Sequence, residues 1–196
     1  ADGTKYGKTE SGALFLNPAL TSPYAFYQYF LNQDDADIGA LQRIFSFKAQ
    51  GEVEALEAET AQRPEARGAQ QSLASELTEL VHGADAAAQA ASASGALFGR
   101  GELRELDAGT LAAALAELPN AQVSGPMPTV ADLLVVSGLA ESRTSARRTV
   151  ADGGAYLNNQ RVADPEMIPA ESDLLHGRWL VLRRGKRSLA AVERVT

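Results

Sequence analysis

Cysteine is absent from the 196-residue sequence, and histidine occurs only twice, as His82 and His176. The first absence excludes disulfides and thiolate metal sites, and the second leaves too few imidazoles for a histidine-built zinc centre. No protein-bound metal is expected. No apolar run approaches the ~20 residues that a membrane-spanning helix needs. Nor does the start show the basic, then apolar, then small-residue order of a secretory signal. A cytoplasmic protein that engages no membrane is the expectation. What is present suffices for a core: 45% of the residues are hydrophobic, and the length fits one or two domains.

Net charge is −7, a weak argument against a nucleic-acid partner until it is divided along the chain. Residues 1–127 hold 8 Lys+Arg against 17 Asp+Glu, a net −9, whereas residues 128–196 hold 10 against 8, a net +2. The last third is therefore locally basic, with Arg183, Arg184, Lys186 and Arg187 almost adjacent.

The acidic part reads as helices. In "TSPYAFYQYFLNQ", Ser22 can cap a first turn, Pro23 suits the first helical position, and Tyr24, Tyr27 and Leu31 recur at helical spacing. Core packing suits Tyr24, Tyr27 and Phe30 better than stacking on bases. A second helix opens at Asp35 or Asp37 as cap, with Ile38, Leu41 and Phe45 as its apolar stripe. A third covers residues 52–62, with Val53 and Leu56 inward. A fourth restarts at Pro64 and runs through Ala69, Leu73 and Leu77 to Gly83, with His82 as a C-terminal cap. Ala84 to Leu97 and "DAGTLAAALAEL" add two more.

"PNAQVSGPMP", residues 119–128, has three prolines, one glycine and no periodicity, and reads as a linker. Beyond it the pattern changes to two short helices, the second capped by Ser142 and ended at Gly153–Gly154. "AYLNNQRV" then reads as a hairpin around Asn158–Asn159, and "RWLVLRRGKRSLAAVERV" as two strands joined across Gly185. The fold class expected is mainly α followed by a small α+β domain of two helices and a few antiparallel strands.

These segments resemble a known family. "KYGKT" (Lys5–Thr9) is similar to the "KMSKS" loop of class I aminoacyl-tRNA synthetases, departing from it at Tyr6, Gly7 and Thr9. "ADGTKYGKTESGALFLNP" with "TSPYAFYQYFLN" resembles bacterial tyrosyl-tRNA synthetases, and "AQQSLASELTELVHG" resembles their helical anticodon-binding region. Residues 130–162 and "GRWLVLRRGKR" resemble the RNA-binding domain these enzymes share with ribosomal protein S four. The resemblance implies an order of 1–20, loop and end of a catalytic domain; 21–118, helical anticodon-binding region; 119–128, linker; and 129–196, RNA-binding domain. The family's Rossmann domain and "HIGH" signature have no counterpart here, so the chain is expected to be a C-terminal portion of a tyrosine–tRNA ligase, inactive alone. The missing initiating methionine fits that expectation.

The resemblance also implies site residues. Lys8 first and Lys5 second would follow the charge that develops on departing pyrophosphate, with Thr9 beside them on ATP and Mg2+ accompanying the nucleotide. In the acidic knot Asp34, Asp35 and Asp37, one carboxylate would accept hydrogen bonds from the first anticodon guanine, Asp35 being favoured by position, while capping is the alternative for each. Arg143, Arg147, Arg148, Arg183, Arg184, Lys186 and Arg187 form the electrostatic footprint expected for an RNA backbone. Arg161 and Arg178 could instead pair with Asp164 or Asp173. The implied partners are tRNA(Tyr), tyrosine and ATP, with a homodimer when intact. The alternative is a non-catalytic RNA-binding protein carrying the same C-terminal module.

Overall fold

The computed structural model describes residues 14–195, so Lys5, Lys8 and Thr9 lie outside the described residues. The chain divides into two compact units, with the division between Ala91 and Ser92.

The first unit is helical: α1 (Pro23–Leu31), α2 (Asp35–Phe45), α3 (Gln50–Gln62), a 3-10 turn (Pro64–Ala66) and α4 (Gly68–His82). The hydroxyl of Ser22 accepts from the Ala25 N–H at 3.1 Å, so the free amides of α1 are met as its sequence predicts. Phe26, Tyr27 and Phe30 of α1 bury against Ala69, Leu73, Ala74 and Leu77 of α4, with Ile38 of α2 completing the core. The spacing of Ala69, Leu73 and Leu77 places one residue per turn on a single face, and each fully buried leucine contributes about 1.5–3 kcal/mol relative to exposure. Neither Asp35 nor Asp37 caps α2. Asp34 holds the N-cap position, its side chain makes no cap bond, and its carbonyl accepts from Asp37 and Ile38. Nor is His82 a cap; it belongs to the last turn of α4 and turns its ring onto Phe26.

Helix α5 (Ala84–Leu97) gives its first turns to one unit and its last to the other. The second unit continues with a 3-10 turn (Leu103–Glu105), α6 (Ala108–Ala116), β1 (Asn120–Val123), α7 (Val130–Val136), α8 (Arg143–Ala151), β2 (Ala155–Leu157), β3 (Gln160–Arg161), a 3-10 turn (Glu171–Asp173), β4 (Trp179–Arg184) and β5 (Ser188–Arg194). The strands form one sheet in the order β1-β5-β4-β2-β3, with β1 parallel to β5 and the other pairs antiparallel. One face, through Leu180, Leu182, Ala190 and Val192, packs on Val130, Leu133, Leu134, Ala146 and Val150 of α7 and α8.

Two expectations about organisation are corrected here. The stretch 119–128 is not a linker throughout, because β1 occupies its first half. Asn120 pairs with Ala191, Val123 is buried in the sheet core, and the Ala191 N–H donates to the Pro119 carbonyl. The division also falls near residue 92 and not near 119. The end of α5 and the loop after it are tied to the sheet: Asn159 Nδ2 donates to the Ala96 carbonyl at 2.6 Å, a ring nitrogen of His176 lies 2.8 Å from the Leu106 carbonyl, and α6 lies on β5.

Candidate nucleic-acid interface

Helix α8 starts where Ser142 Oγ accepts from the Ser145 N–H, and its arginines follow at once. All three are already paired. Arg143 grips Asp132 with two nitrogens, Nε at 2.6 Å and Nη2 at 2.7 Å. Asp132 also accepts from the Thr129 hydroxyl, and these donors, Thr129 before Arg143, hold its carboxyl below the usual carboxylate range. Arg147 Nε donates to Glu166 at 2.9 Å. Arg148 lies 3.8 Å from Asp152 with 86% of its side chain exposed. Exposed pairs of this kind are worth ~0–1 kcal/mol, so a polyanion can compete for them.

Strand alternation separates the next two arginines. Arg184, on the helix-covered face, donates to the Leu139 carbonyl at 2.8 Å. Arg183, on the other face, lies 3.9 Å from the ring centroid of Tyr156, its cross-strand partner on β2, and donates to the Gly185 carbonyl at 2.9 Å. Gly185 turns with φ +63°, and its N–H donates to Gly154 at 2.7 Å, which fastens the β4–β5 turn to the end of α8. Lys186 and Arg187 stand exposed on that turn and have no ion pair or side-chain hydrogen bond among the described residues.

Arg161 is the cation that sequence reasoning left out of the footprint. It pairs with neither Asp164 nor Asp173; it is exposed, stands opposite Tyr156 on β3, and its guanidinium occupies the space over Gly153, where an added Cβ would fall 1.6 Å from Nη2. Its place on the Tyr156 face follows from the hairpin register, which the Asn158–Asn159 turn already specified. Both asparagines adopt positive φ, +46° and +67°. Arg178 bonds Glu193, which also accepts from Gln122; Gln122 first and Arg178 second lower the Glu193 carboxyl from its usual value.

In the helical unit the three aspartates diverge. Asp35 Oδ1 accepts from Gln70 Nε2 at 2.6 Å, with Arg67 at 3.9 Å, so α4 holds it from 35 residues away. Asp35 then lines one end of an open cleft of about 570 Å³ whose other walls include Gly39, Arg43, Glu57 and Thr60. Glu57 and Arg43 pair at 2.7 Å, and Gly39 leaves room for that carboxylate, since a Cβ there would come within 2.9 Å of it. Asp37 lines a separate, apolar groove with Leu14, Tyr29 and Phe45. His82 Nε2 is buried without a hydrogen bond, and burial lowers the affinity of the ring for a second proton.

Family comparison agrees with the resemblance from both ends of the chain. The family described as "tRNA synthetases class I (W and Y)" matches residues 1–99, and the one described as "Tyrosine--tRNA ligase SYY-like C-terminal domain" matches residues 110–192. The chain belongs to the class I tyrosyl-tRNA synthetases. Among similar proteins, the tyrosine–tRNA ligase of Streptomyces avermitilis is 60% identical over 193 residues, covering 98% of this chain and 46% of that protein. The tyrosine–tRNA ligase of Mycobacterium bovis is 57% identical over 197 residues, covering 100% and 46%. A solved tyrosyl-tRNA synthetase C-terminal domain is 28% identical, covers 48% of this chain and 96% of its own, and superposes with a TM-score of 0.41. The chain thus spans about half the length of the curated tyrosyl-tRNA synthetases it matches. The gap between the two synthetase matches, after residue 99 and before residue 110, lies close to the division of the fold and well before the Pro/Gly stretch. Among the described residues, no helix is long and apolar enough to cross a membrane.

Proposed function

We propose that this chain is the tRNA-holding part of a tyrosine–tRNA ligase that, as a whole cytoplasmic enzyme and a homodimer, activates tyrosine with ATP and transfers it to tRNA(Tyr). The observation that carries the proposal is the Lys186–Arg187 turn, two exposed cations without ion pairs among the described residues, on a unit whose other arginines mostly have carboxylate or carbonyl partners. Phosphates gain most from cations that need break no existing pair, so Lys186 and Arg187 are the first contacts, and Arg161, which also has no ion pair among the described residues, joins them. Arg143, Arg147 and Arg148 join by exchanging exposed carboxylates for phosphate. Arg184 serves the fold through Leu139.

The same reading gives Lys8, Lys5 and Thr9 to the ATP loop, where they would act on a pyrophosphate leaving group accompanied by Mg2+. Asp35, held by Gln70 and open to the cleft on its other side, is the base reader in preference to Asp34 and Asp37. The match over residues 1–99 favours the ligase over a binding protein that merely carries the second unit.

The test is tRNA(Tyr) affinity over a salt series for the chain and for Lys186→Ala/Arg187→Ala. The double variant should lose affinity, and its salt slope should fall by about 0.7–0.9 per contact removed. Unchanged affinity and slope would take the turn out of the interface.

A further inference from the structure

The Arg183 guanidinium is tied to its own fold at two points. Tyr156 covers one face at 3.9 Å, Nη1 donates to the Gly185 carbonyl at 2.9 Å, and Nε is buried without a hydrogen-bond partner. Nη2 lies 3.9 Å from where a Cβ on Gly99 would be. With Nε buried and Nη1 engaged at Gly185, Arg183 does not present a free Nε–Nη fork to a phosphate. What it does hold is the turn, because Gly185 is the residue immediately before Lys186 and Arg187, and its φ of +63° sets the direction in which the chain leaves β4.

We infer that Tyr156 and Arg183 are positioning residues for the Lys186–Arg187 turn and are not themselves RNA contacts. Tyr156 is the cross-strand neighbour of Arg183 and fixes its plane by stacking, and Arg183 fixes the turn carbonyl by its hydrogen bond. The Gly185 N–H bond to the Gly154 carbonyl anchors the other side of the same residue. Both cations are thereby presented from a turn held at two points, which reduces the ordering cost when a polyanion binds. The inference rests on the reading of Lys186 and Arg187 as tRNA contacts. It assigns a role to an uncharged residue, Tyr156, that charge counting would never select.

The experiment measures binding of a tRNA(Tyr) transcript to the 196-residue chain between about 50 and 200 mM salt, where phosphate contacts dominate the slope. Tyr156→Leu removes no charge, yet it should weaken binding ~2-fold or more, the lower end of coupling between contacting residues. It should also move the salt slope toward that of Lys186→Ala/Arg187→Ala. Arg183→Lys keeps the charge but cannot both stack as a plane and donate to Gly185, so it should behave like Tyr156→Leu. Tyr156→Phe keeps the ring and should bind as wild type. With both turn cations already removed, Tyr156→Leu should have no further effect. Wild-type affinity and slope in Tyr156→Leu or Arg183→Lys would overturn the inference, as would a Tyr156→Leu loss that persists in full without the two cations. If Lys186→Ala/Arg187→Ala itself binds as wild type, the RNA reading of the turn fails, and the positioning role falls with it.

Discussion

The guanidinium of Arg161 fills the space that a side chain on Gly153 would need, with Nη2 only 1.6 Å from the position of an added Cβ. Gly153 also has φ +70°, which L side chains seldom adopt. Gly153→Ala should therefore lose about 1–3 kcal/mol in urea unfolding. Gly153→Ala/Arg161→Ala should recover the share due to the collision and retain the share due to the backbone. A single variant as stable as wild type would show that neither the Arg161 collision nor the positive φ of Gly153 carries a cost.

Anticodon reading gives a second expectation. Asp35→Ala should cut the preference for tRNA bearing guanine at the first anticodon position by about tenfold or more, the scale of one hydrogen bond to a charged group. Tyrosyl-adenylate formation in the intact enzyme should stay normal. Gln70→Ala, which releases Asp35 Oδ1, should show part of the same loss. Wild-type discrimination in Asp35→Ala would return the residue to a role in joining α2 to α4.

The pH dependence of stability should carry a signature of His82. Burial disfavours its charged form, so the folded state binds a proton less readily than the unfolded one. Its contribution is then complete above the ordinary histidine value of about 6.5 and shrinks as pH falls through that value toward the lowered one. Between pH 7.5 and pH 5, wild type should lose more stability than His82→Leu. Parallel curves for the two proteins would remove His82 from the balance.

For catalysis, Lys8→Ala in the intact enzyme should slow tyrosyl-adenylate formation by roughly 10²–10³, with a smaller effect on tyrosine binding. Rapid-quench measurement of activation decides it, since an unchanged rate would exclude Lys8 from the charge-stabilising role.

Local signals made most elements legible in the sequence. Ser22, Asp107 and Ser142 each cap the helix they precede, and the Asn158–Asn159 pair makes the hairpin turn. What escaped depends on residues far apart in the chain. β1 is four residues long and gains its identity from β5, with Asn120 opposite Ala191, so no periodicity announces it. Counting basic residues overstated the number of free cations. The partners Asp132 and Glu166 come from outside α8, and alternation sends Arg183 and Arg184 to opposite faces. Arg161 looked close to Asp164 in sequence, whereas the hairpin register sets it across from Tyr156.

The parallel pairing of β1 with β5 bears on how the second unit comes into being during synthesis. Its first strand waits at the sheet edge for a partner that leaves the ribosome about seventy residues later, so closure of that long loop must precede any reward from the pairing. Until residue 194 is made, Val123 has no strand to lie against, and a nascent chain halted or clipped before β5 exposes both β1 and the inner edge of β4 to other chains.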